Sequence, residues 1–117
     1  MATYKVTTTT QVSTIVVAPE PAKAIGEAGH RFKDLGVRCD PTNFSIVQVS
    51  PIWRVHDSDQ TLFFYSCKDR IDAVEAYAST IHKPDSVGWQ DLVAYCYVEQ
   101  ALQSEIWAAL EDGRIAA

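Results

Sequence analysis

A chain of 117 residues, 47% hydrophobic and 21% charged, has the size and composition of an ordinary globular protein, and we expect residues 1–117 to form a single α+β domain. Cys39, Cys67 and Cys96 are odd in number and lack paired spacing, which argues against a disulfide framework and for a reducing compartment. The net charge of −5 lies wholly in residues 85–117, where Asp85, Asp91, Glu99, Glu105, Glu111 and Asp112 face Arg114 alone; nucleic-acid binding, which needs clustered Lys and Arg, is excluded as an expectation.

The opening Met1-Ala2-Thr3-Tyr4-Lys5 has no basic-then-apolar leader. No apolar run approaches the roughly 20 residues of a membrane span, so we expect a cytoplasmic chain with no membrane partner. Residues 4–17 are rich in Thr and Val without an internal turn residue and predict one long strand. Pro19 and Pro21 stop it and open a helix, since proline is tolerated in a first turn. Ile25, Ala28, Phe32 and Leu35 give that helix an apolar stripe, and Gly36 stands where a terminating glycine belongs. Gly26 and Gly29 weaken it by about 1 kcal/mol each relative to Ala, so close packing against a sheet is expected there.

Residues 44–67, FSIVQVSPIWRVHDSDQTLFFYSC, read as two strands joined by the polar break His56-Asp57-Ser58-Asp59-Gln60. Pro51 cannot donate to a strand ladder, so the first strand is an edge or bulges there. Ser66 and Asp69 resemble a capping box for a second helix striped by Ile71, Val74, Ala78 and Ile81, which ends before Pro84. Residues 90–112 carry two competing patterns. The apolar run 92–98 suits a buried strand, but no Gly, Pro or Asn interrupts 92–111, and one long helix ending at Gly113 is the reading adopted. The order is then β-α-β-β-α-α, an antiparallel sheet with helices on one face. The alternative is a ferredoxin-like β-α-β-β-α-β with a C-terminal helix.

A two- or four-residue loop centred on Ser58-Asp59 sets Val55 opposite Leu62 and Trp53 opposite Phe64, which makes one apolar face for the helices. The other face then carries Ile52, Arg54, Phe63 and Tyr65, with His56 near the turn. Such a face should be polar if solvent covers it. These five residues are therefore the predicted ligand- or partner-binding site. A three- or five-residue loop would shift the pairing by one and exchange the partners.

Three covers fit that face: a second copy of the chain, a small ligand whose anionic group Arg54 holds, or the chain's own terminal segments. The leading expectation is a non-catalytic binding or interaction module that forms a homodimer. The alternatives are a small cofactor-independent enzyme with a cleft between sheet and helices, and an acidic docking or inhibitor protein using residues 85–112. No cofactor, metal ligand or catalytic residue is assigned. Cys67 is the best nucleophile candidate, because a helix N-terminus with Lys68 or Arg70 would lower its pKa, but a structural cysteine is the favoured reading. His56-Asp57-Ser58-Asp59 reads as turn chemistry rather than a metal site. Trp89 and Trp107 read as core or interface anchors.

Overall fold

The computed structural model describes residues 1–56 and 62–117. The fold is α+β, with two small antiparallel sheets and four helices where the sequence suggested one sheet. The residues fall into two compact units, Met1–Val49 with Leu102–Ala117, and Ser50–Ala101.

In the first unit the predicted long strand is a hairpin of β1 (Ala2–Thr7) and β2 (Ser13–Ala18). The reversal falls within the threonine run. Thr8 N–H donates to Val12 O at 2.9 Å, Gln11 N–H donates to Thr8 O at 3.0 Å, and Gln11 takes φ 67°. No Gly, Pro or Asn marked this turn, and the hydroxyl chemistry that closes it (Thr8 Oγ1 accepting from Val12 N–H at 3.2 Å) is a weaker sequence signal. Strand β3 (Ser45–Val49) pairs with the other side of β1 and completes the order β2-β1-β3.

Helix α1 (Pro21–Asp34) begins on a proline as expected and buries Ala24, Ala28 and Phe32. These pack with Tyr4, Val6, Val16 and Ala18 in one core. Leu35 falls outside the helix and is half exposed. Gly36 is the left-handed terminator, at φ 73°, and its neighbour's N–H (Val37) reaches Phe32 O at 2.8 Å. Gly29 meets Pro41 and Phe44 at ordinary contact distances, but space around Gly26 is open, so only one of the two glycines packs closely.

Helix α4 (Gln103–Glu111) completes this unit and ends at Gly113, at φ 71°. It guards the outer edge of β2. The Gln103 side-chain amide accepts from Val17 N–H at 2.7 Å and donates to Ile15 O at 2.9 Å, and the Trp107 indole donates to the same carbonyl at 3.1 Å. One amide thus supplies the donor and acceptor that a further strand would have supplied.

The second unit holds β4 (Ile52–His56), β5 (Leu62–Ser66), α2 (Arg70–Ser79), α3 (Val87–Tyr95) and β6 (Tyr97–Gln100). Its sheet has the order β5-β4-β6, all antiparallel. Pro51 divides the predicted strand 44–55 into β3 and β4, as its missing N–H requires of a continuous ladder. The long helix expected over 90–112 is three elements. Helix α3 stops at Tyr95, Cys96 turns extended, and Tyr97–Gln100 pairs with β4. A third strand satisfies β4's remaining backbone groups and buries Val98 in the core with Val55, Ala73, Val74 and Tyr77, a gain that helical propensity in a Val- and Tyr-rich run does not match. Helix α2 is capped by Asp69, whose carboxylate accepts from Asp72 N–H at 2.9 Å; Ser66 is the last residue of β5 instead of the cap. Ile71 and Ile81, expected in its stripe, are exposed, and Ala73 and Tyr77 take their places.

Candidate functional site at the outer face of the second sheet

The pairing observed between β4 and β5 is one residue removed from the even-numbered loop. Trp53 lies opposite Tyr65, Val55 opposite Phe63, Arg54 opposite Phe64 and His56 opposite Leu62. Since opposed residues share a face, this shift moves every β5 side chain to the other side of the sheet. Phe63 and Tyr65 therefore lie on the helix-covered face. Both meet Tyr77 of α2, with ring centroids at 4.9 Å for Phe63 and 6.4 Å for Tyr65. Trp53 shares that side, packs against the same core and donates its indole N–H to Cys67 O at 2.9 Å.

The sheet keeps three of the five predicted site residues together. Ile52, Arg54 and His56 remain on the outer face, and Leu62, Phe64, Tyr97 and Glu99 join them through their pairing positions. Ile52 is buried there. Arg54 and Glu99, directly opposed across β4 and β6, form an ion pair. The next opposed pair, His56 and Tyr97, stacks with centroids 5.2 Å apart and planes within 9°. Tyr97 is 68% exposed and Leu62 38%, so an aromatic and aliphatic surface flanks a charge pair. Tyr97 and Glu99 escaped the sequence reading because their segment was taken as helix; the β-branched and aromatic content of 92–98 was the signal that could have found them.

The other candidates resolve differently. Cys67 precedes α2 instead of occupying its first turn. Burial, followed by the nearby carboxylates of Asp72 and Asp69, pushes its thiol pKa up, the opposite of what the nucleophile alternative needs. Burial likewise raises the Cys96 thiol. All three cysteines are free thiols. The turn His56-Asp57-Ser58-Asp59 lies outside the described residues beyond His56, and among the described residues no group of three His, Cys, Asp or Glu is placed to hold a metal. The acidic segment divides between the two units, and four of its six carboxylates are engaged: Glu99 with Arg54, Glu105 with the Leu102 N–H at 2.9 Å, Glu111 with Arg31 at 2.5 Å and Asp112 with Arg114 at 3.1 Å. Trp107 is half-buried against the first core, where Arg31 lies 4.9 Å above its ring, and Trp89 donates to Ser79 Oγ at 3.1 Å. Among the described residues no helix is long and apolar enough to cross a membrane.

No protein-family model matches the chain, and no curated protein and no solved structure matches it.

Proposed function

We propose that this protein works by binding rather than by catalysis, and that the outer face of the β5-β4-β6 sheet associates with a second copy of the chain. The observation that carries the reading is the stack of exposed Tyr97 on half-buried His56 beside the Arg54–Glu99 pair. Aromatic and arginine side chains are the groups enriched at interface centres. A two-fold axis parallel to the strands, running between β4 and β6 and midway between two stacked sheets, would set the Arg54 of each copy over the Glu99 of the other, so the charge pattern suits isologous contact. A Cys67 thiol pushed up by burial is less suited to serve as the nucleophile of the enzymatic reading.

Size limits the strength of such a contact. Two strands of five residues and one of four present a face of at most about 14 by 17 Å, roughly 240 Å² per partner in projection, well under the ~800 Å² of a standard interface. The association is therefore expected to be reversible, with a dissociation constant in the micromolar range or weaker. Tyr97→Glu should abolish it by placing like charges beside Glu99 while leaving the fold intact. A Tyr97→Glu protein that sediments as the wild type does at every concentration would contradict the reading.

A further inference from the structure

A separate groove lies in the first unit, between α1 and the segment 36–41 that doubles back along it. It has a volume of about 600 Å³, within the range of small-molecule sites. His30, Lys33 and Arg38 are among its lining residues, and no acid is. This concentration of positive charge runs against a chain of net charge −5. Asp40, two residues from Arg38, is turned into its own 3-10 turn. Its Oδ1 accepts from the Thr42 N–H and hydroxyl at 3.1 and 2.8 Å, and its Oδ2 from the Asn43 amide at 3.4 Å. Among the described residues neither Lys33 nor Arg38 takes part in an ion pair.

Gly26 is one of the groove's lining residues. A Cβ placed on Gly26 meets nothing within 4 Å, so that stretch of helix is a bare floor beside the cations. Val37 and Pro41 add an apolar wall. We propose that this groove binds a small phosphorylated molecule, with Arg38 and Lys33 on the phosphate and the organic part against Gly26, Val37 and Pro41. A phosphate monoester carries up to two negative charges at neutral pH, which matches a guanidinium and an ammonium, and arginine's planar fork donates to two phosphate oxygens at a time. A monocarboxylate would leave one of the two cations uncompensated. This site is independent of the sheet face and shares no residue with it.

Titration of the isotope-labelled full chain with phenyl phosphate, inorganic phosphate and benzoate, followed by amide chemical shifts, tests the proposal. Phenyl phosphate at millimolar concentration should shift amides within 26–41 and bind more tightly than either of the other two. The double variant Lys33→Ala/Arg38→Ala should weaken it by about tenfold or more, the size expected for loss of charge-assisted hydrogen bonds. Gly26→Leu should abolish binding with a thermal midpoint at or above that of the wild type, because it fills the groove at an open, helix-compatible position. Shifts spread equally over Lys5, Lys23 and Lys68, benzoate binding as tight as phenyl phosphate, or unchanged binding in either variant would each overturn it.

Discussion

Single residues on the second sheet separate structure from surface in a way that a measurement can read. Phe63 and Tyr97 are both aromatic strand residues, yet Phe63 packs against Tyr77 in a tilted ring pair while Tyr97 is 68% exposed. Phe63→Ala should cost about 1–2 kcal/mol, less than a fully buried phenylalanine because a third of the ring is already in water. Tyr97→Ser should stay within about 0.5 kcal/mol of wild type. Thermal unfolding of the two variants compares them directly, and a larger loss at Tyr97 would mean that the register is wrong. At Cys67, a pKa raised by burial and by Asp72 and Asp69 leaves the neutral thiol at pH 7. Thiolate is the reactive form, so a thiol reagent at neutral pH should label Cys67 more slowly than a free cysteine. Faster labelling would restore it as a nucleophile candidate.

Elements show why some of the fold was legible and some was not. The start of α1 at Pro21 and the ends of α1 and α4 at Gly36 and Gly113 could be read because proline and glycine restrict or free the backbone locally. The β1–β2 turn was missed because Gln11 adopts a left-handed conformation that nothing in its side chain advertises. The strand β6 was missed because Leu92–Val98 serves helix and strand within one run, and only the unsatisfied side of β4 decides where one gives way to the other. The site residues on β5 were displaced by a single residue of loop length, which is enough to reverse a strand's faces. Those on β4 needed only the alternation of that strand and stayed together.

Edge protection by α4 also belongs at this scale. Gln103 satisfies Ile15 O and Val17 N–H with one amide. Gln103→Leu removes both hydrogen bonds while keeping helix propensity and apolar bulk; Ile15 O keeps the Trp107 indole, and the Val17 N–H left unpaired should lower stability by about 1–3 kcal/mol. Urea denaturation would show it as a lower midpoint at unchanged slope. An unchanged midpoint would mean that water replaces the amide without loss. Gly26→Leu on α1 should move the other way, by up to about 1 kcal/mol, since glycine is among the poorest residues in a helix interior.

At the scale of the molecule, acidity and function part company. Four of the six carboxylates that give residues 85–117 their charge have partners within the chain, and the segment is shared between the two units. The surfaces that remain are a small aromatic sheet face with a built-in charge pair in one unit and a cationic groove in the other. Binding at either needs no reactive side chain. The sheet face makes the stronger demand on the whole molecule, because self-association follows mass action. Sedimentation of the wild-type chain across a concentration range from micromolar to millimolar tests it most directly. A sedimentation coefficient that rises with concentration toward that of a dimer, and fails to rise for Tyr97→Glu, is the predicted result; a constant monomeric value throughout would contradict it.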